Sequence, residues 1–316
     1  MTLIGEAWMK WTLLEACTKT ASKVLQKVVG NVSSTVAHTF FATFVVGLVQ
    51  VVSGYIACRR RKTKIMTDWQ SILGACLFGC FAVISTVLGF AVFLLGGDMS
   101  INTFFITLSI VPGALIDRFC FGHKLESRAW IGVLVAILAG YAILDWPSLQ
   151  EVIKMPLWVW LSIATMFSVA INQGITQKVK KIDMFVKNFW GGLTAVILGG
   201  LGVIILGQSK LFIDFSVDMR KLWIVSIAIG FIVVAMWSYN LLSYKGGASI
   251  ALKKLVMNGA YLIMVMILGV PLFHEKFTWG KVTGTLLFLA AFVLMDKSTW
   301  EFVTRTPRTK PAVVTV

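Results

Sequence analysis

Four groups of polar residues sit inside otherwise apolar runs, and each could handle a small molecule. Glu15, Lys19, Ser22 and Gln26 recur at helical spacing, so they share one face of a helix, with Leu13, Cys17, Thr20 and Val24 opposite. Glu15 and Lys19 stand at i,i+4 and are placed to pair. That pair either only lets a polar helix sit in an apolar bundle, or it serves a ligand. In the second case Glu15 takes a proton or a cationic group, or Lys19 takes an anion. A second stripe is Lys254, Asn258 and Tyr261. Lys254, next to Lys253, either snorkels to lipid headgroups or holds an anion, whereas Asn258 and Tyr261 are predicted to line a cavity. The third group is Thr165, Ser168, Asn172 and Thr176, and the fourth is Trp237, Asn240 and Tyr244. Amides and hydroxyls of this kind join membrane helices or bind ligands, and an aromatic such as Trp237 packs or stacks on a planar ligand.

The elements that must position these groups are set by composition. The chain has 316 residues, 58% of them hydrophobic and 14% charged, with mean hydropathy +0.84. Soluble domains run at about half apolar and about a quarter charged, so this is expected to be a polytopic, all-α membrane protein. Its charges cluster between apolar runs of roughly 18 to 25 residues, the length that crosses about 30 Å of hydrocarbon as helix. The net charge of +15 is distributed through alternate loops, which excludes nucleic acid as the expected partner and leaves membrane lipid as the surroundings. Glu6 and Lys10 interrupt any apolar signal region near the start. The five cysteines, Cys17, Cys58, Cys76, Cys80 and Cys120, show no C-x-x-C spacing and are predicted to be free thiols, with no metal site and no cofactor.

Ten transmembrane helices are predicted, at 5–26, 36–57, 70–95, 101–121, 129–145, 157–177, 187–207, 221–244, 250–272 and 280–296. The clusters Arg59–Lys64, Arg118/Lys124/Arg128, Lys178/Lys180/Lys181/Lys187 and Lys245 fall on one side, and Asp98, Asp145, Glu151, Asp214 and Asp218 on the other. The positive-inside rule then puts both termini in the cytoplasm, with the plasma membrane the simplest location. Pro112 is predicted to kink the fourth span. Residues 301–316 read as a basic cytoplasmic tail, its end from 305 onward without regular structure.

The two hinges FCFGHKLESRAWIGVL (119–134) and PLFHEKFTWGKVTGTL (271–286) align, with Phe121 on Phe273, Lys124 on Lys276, Leu125 on Phe277 and Gly132 on Gly284. A repeat of about half the chain length predicts two related units, 1–150 and 151–300. Five spans per unit is odd, so the units must insert upside down relative to each other as inverted repeats, with any substrate site near the midplane between them. The same offset places the stripe Lys254, Asn258, Tyr261 opposite Asn102, Ile106 and Ser109, making Ser109 a further cavity candidate. Small residues recur every four positions at Gly132/Ala136/Gly140, at Gly191/Ala195/Gly199 and at Gly280/Gly284, where helices pack closely or a homodimer forms.

The hinge-plus-helix pattern resembles that of EamA-type transporters of the drug/metabolite transporter superfamily. Phe273, Glu275, Lys276, Trp279 and Gly284 carry the resemblance in the second copy, and Phe121, Gly122, Leu125, Trp130, Gly132 and Gly140 in the first. His123 stands where the pattern has its hinge Glu, and His274 where it has the preceding Gly. The resemblance implies export or exchange of a small metabolite or drug-like compound through a central cavity, with basic residues on the ninth span serving anionic substrates in some members. The expectation is a secondary transporter working by alternating access, driven by a proton, a counter-substrate or the gradient alone. A nucleotide-sugar or sugar-phosphate antiporter is the alternative. An integral-membrane enzyme would need clustered His, Asp or Glu, but His38, His123 and His274 lie far apart, so no enzymatic activity is expected.

Overall fold

A computed structural model describes residues 7–121, 126–178, 182–245, 250–295 and 297–304. It is 86% helix, with no strand among the described residues. The helices are α1 (Ala7–Val32), α2 (Val36–Arg61), α3 (Trp69–Leu94), α4 (Met99–Leu108), α5 (Ile110–Phe121), α6 (Ser127–Ile143), α7 (Leu149–Ile153), α8 (Leu157–Lys178), α9 (Met184–Ile205), α10 (Val217–Lys245), α11 (Ile250–Phe273), α12 (Trp279–Met295) and α13 (Lys297–Thr304). Among the described residues, six segments are long and apolar enough to cross a membrane: Val36–Arg61, Trp69–Leu94, Met99–Ile116, Met184–Ile205, Val217–Met236 and Val256–Phe273. Shorter apolar helices lie at Ser127–Ile143, Leu157–Asn172 and Trp279–Met295. The chain is therefore an integral membrane protein. Its outward faces carry Leu134, Ile137, Ile205, Ile224, Phe231 and Ile267, all exposed, as a lipid-facing surface should.

Helix ends follow local chemistry. Asp68, Asp98 and Asp183 accept backbone N–H groups at the starts of α3, α4 and α9. Ser148 and Glu151 close a capping box on α7. The fourth predicted span departs from expectation, being two helices broken at Ser109 rather than one kinked helix. Pro112 has no N–H to offer the Leu108 carbonyl, so the ladder is lost one turn ahead of it. The chain recovers through a tight Ser109 N–H to Ile106 O bond and a Gly113 N–H to Ser109 O bond. At the other end, α13 occupies the start of the segment predicted as tail, and 305–316 lies outside the described residues.

The bundle is organised by a few helix pairs. The most extensive is α2 with α9, followed by α6 with α12, α1 with α10, and α3 with α8. In the first two pairs glycine lets backbones touch. A Cβ on Gly47 would come within 2.9 Å of the Gly192 carbonyl, one on Gly199 within 2.8 Å of the Phe44 amide, and one on Gly284 within 2.9 Å of the Ala139 carbonyl. Lipid is as apolar as leucine, so such contacts hold the helices together by dispersion rather than by the hydrophobic effect. The small-residue stripes are thus used within the chain, and a homodimer would need another face. Aromatic clusters fill the remaining space, with Phe41 edge-on to Trp223 at 4.9 Å and Phe104 against Phe288 at 5.6 Å.

These contacts discriminate between neighbouring glycines. A Cβ on Gly200 would meet only the flexible Phe44 ring, at 3.5 Å. Gly199→Ala is expected to lower the melting temperature in detergent, at a cost of about 1–3 kcal/mol from overpacking, whereas Gly200→Ala leaves it unchanged or raised. Equal midpoints for the two variants would contradict the backbone contact.

Candidate functional site

A cavity of about 340 Å³ lies at the centre of the bundle. It receives Lys19, Ser22, Lys23 and Gln26 from α1, and Thr43 and Gln50 from α2. Ser85 and Thr86 of α3, Thr107 of α4, Ser109 at the α4–α5 break, Thr165 of α8, Lys187 and Asn188 of α9, and Asn258 and Tyr261 of α11 complete its polar lining. The break at Ser109 matters here, because it ends α4 beside the cavity and leaves polar backbone and hydroxyl groups where a continuous helix would have buried them. The described lining contains three lysines and no carboxylate.

Seven residues singled out from the sequence meet there: Lys19, Ser22, Gln26, Ser109, Thr165, Asn258 and Tyr261. The repeat alignment that set Asn258 against Ile106 and Tyr261 against Ser109 thus brings all four residues to one cavity. Asn102, the partner assigned to Lys254, instead donates to Ser162 Oγ at 2.9 Å and is buried packing. Glu15 is buried 4.0 Å from Lys19 but is not part of the lining. Asn172 is also set apart, donating to the Phe78 carbonyl at 3.0 Å and so fastening α8 to α3. Trp237 and Asn240 fall on α10 and Lys254 on α11, with side chains outside the described residues.

Sequence reasoning missed Lys23 and misplaced Lys187. Lys23 extends the stripe Glu15–Lys19 by one further turn, a signal that was present. Lys187 was assigned to a cytoplasmic basic cluster, but it is 8% exposed, its ammonium 3.6 Å from the centre of the Phe78 ring. Asp183 starts α9 one turn earlier than expected, which carries Lys187 inside the bundle.

Beyond the cavity, toward the start of α4, lies a buried charge cluster. Glu275 projects from the turn after α11 and accepts hydrogen bonds from the Met99 amide, from the Ser100 amide at 3.2 Å and from the Ser100 hydroxyl at 2.9 Å. The Lys27 ammonium of α1 pairs with the same carboxylate. Lys281 of α12 lies 2.6 Å from Asp98 and 3.9 Å from Glu275. Four helices are joined by these charges. The turn that aims Glu275 inward needs a left-handed residue, and His274 supplies it at φ 53°, while the Glu275 amide bonds back to the Gly269 carbonyl at 3.2 Å. Glycine is the residue that adopts this conformation without strain, so His274 is held there at a cost.

Two outcomes follow from this turn. Glu275→Gln leaves Lys27 and Lys281 without their shared carboxylate and is expected to destabilise the protein by ~3–5 kcal/mol, with the double variant Lys27→Met/Glu275→Gln losing less than the sum of the singles. His274→Gly is expected to raise the melting temperature, by relief of about 1 kcal/mol of backbone strain. Thermal melts of the wild type, the two single variants, the double variant and His274→Gly check both.

No family model matches the chain, and no curated protein does either. Among solved structures it is similar to one described only as "Crystal structure of protein", at 11% sequence identity and TM-score 0.56, the match covering 90% of this chain and 98% of that one. At that identity the likeness is one of fold alone.

Proposed function

We propose that the protein is a secondary transporter that carries a small polar metabolite across the membrane by alternating access, and that it is not an enzyme. One observation carries this reading: a cavity whose wall mixes three lysines, amides and hydroxyls with apolar side chains draws its lining from both halves of the chain, from α1–α5 and from α8–α11. A chamber with charged and polar groups in its wall costs packing in the middle of a bundle, and a substrate path is the usual reason for one.

The helix pairings support a two-unit architecture of five spans each, at 1–150 and 151–300. Exchange the units and α1–α10 becomes α8–α3, α1–α11 becomes α8 with α4 and α5, and the pairs α2–α9 and α6–α12 map onto themselves; all of these contacts occur. Ten spans in an inverted repeat, of the kind seen in EamA-type transporters, is the arrangement we infer, with both termini cytoplasmic in a plasma membrane. The lining of lysines, amides and hydroxyls suits binding and release rather than bond breaking. Its charge also favours the reading in which phosphate-bearing metabolites are exchanged.

Alternating access is testable without knowing the substrate. Thr86 lines the cavity, so Thr86→Cys, with the five native cysteines replaced, is expected to react with a membrane-impermeant thiol reagent from either face of sealed vesicles. Labelling from one face only, in both right-side-out and inverted vesicles, would sink the proposal.

A further inference from the structure

The charges along α1 form a ladder. Glu15, Lys19, Lys23 and Lys27 follow one another every four residues, so they stack on one face. The ends of this ladder are compensated. Lys19 lies 4.0 Å from Glu15, and Lys27 is paired with Glu275. Lys23, between them, is 3% exposed and lines the cavity, and among the described residues it has no hydrogen bond or ion pair. The Phe93 ring lies 4.8 Å from its ammonium.

We propose that Lys23 reads the charge of the cargo, and that the cargo is a soluble anion whose phosphate or carboxylate group takes the place of the missing counter-charge. This rests on the transporter reading and adds the class of substrate to it. An ammonium withdrawn from water without an anion is costly, and an aromatic face offsets only part of that cost. Lys19 on the preceding turn and Lys27 on the following one repel it further. Lys187 adds a positive charge to the cavity wall, while no described lining residue is acidic. A cation entering this space meets only like charge. An oxyanion meets Lys23, with the Ser22 hydroxyl and the amides of Gln26 and Asn258 in the same lining to satisfy its remaining lone pairs. The volume, about 340 Å³, lies at the small-molecule end of the range for ligand pockets.

The test uses the full chain purified in detergent and follows the thermal midpoint. Inorganic phosphate and glycerol 3-phosphate serve as soluble anions, choline as the cation, and a phosphatidic acid as the lipid source of the same headgroup chemistry. Both soluble anions are expected to raise the midpoint. Lys23→Gln is expected to weaken that binding roughly 10- to 100-fold, to leave the ligand-free midpoint unchanged or raised, and to be rescued by Lys23→Arg. Lys23→Met replaces the glutamine variant if the latter does not fold. A shift from choline overturns the proposal, as does a shift from phosphatidic acid with the soluble anions silent. Silence from every anion, or soluble-anion binding indifferent to Lys23→Gln, overturns it as well. Vesicle counterflow of labelled phosphate separates the two readings: binding without flux keeps the Lys23 assignment and defeats transport, while flux of a cation alone keeps transport and defeats the assignment.

Discussion

The Glu275 carboxylate ties the start of α4 to α1, to α12 and to the turn after α11. It sits where two amides at the start of α4 point outward with no helical acceptor, and where the helix dipole favours negative charge. In water a Glu at that place would add a few tenths of a kcal/mol. Inside a membrane protein the amides have no solvent to fall back on, so the carboxylate becomes the acceptor on which the position of α4 depends. Once there it must be neutralised, and Lys27 from α1 and Lys281 from α12 do so. The height of α4 sets the height of the break at Ser109, and hence which groups the cavity presents. A residue more than two turns away therefore governs the geometry of the binding chamber.

The bilayer explains why the polar residues are distributed so unevenly. Most helices present an apolar face to lipid and a small-residue face to a neighbour. α1 differs, with Lys10, Glu15, Lys19, Lys23 and Lys27 along its length. Such a helix is tolerated because it packs against α3, α10 and α11, and because Lys19 lies beside Glu15 of its own helix while Lys27 is met by Glu275. The charge cluster and the cavity are in this sense one system, in which α1 carries the cations and the rest of the protein chooses where to compensate them.

Helix positions were legible in the sequence because length and hydropathy alone set them in a lipid solvent; the segment predicted at 36–57 is α2 at Val36–Arg61, and that at 280–296 is α12 at Trp279–Met295. The stripe rule found Lys19, Asn258 and Tyr261 because helical periodicity places residues on a face. It could not say which neighbour that face meets, and the structure sets Glu15 and Asn172 outside the cavity lining, Glu15 near Lys19 and Asn172 on the Phe78 carbonyl. Lys187 shows a different limit, since a lysine near a helix end reads as interfacial unless the cap, here Asp183, is located to the residue. The break at Ser109 depended on which carbonyl Pro112 strands, and a generic kink was the most that the proline alone implied.

The glycine seams of α2 against α9 and α6 against α12 have a mechanical meaning. In an ordinary helix interface side chains interdigitate, and one helix slides along another by changing rotamers. At Gly47, Gly199 and Gly284 a carbonyl or amide of one backbone rests in a notch of the other, with no rotamer between them to exchange. Such a seam resists axial slip and separation but opposes rolling far less. The two seams are therefore axles rather than slides: whatever motion the bundle undergoes must turn about them, and the widest displacement falls on the helices farthest from both.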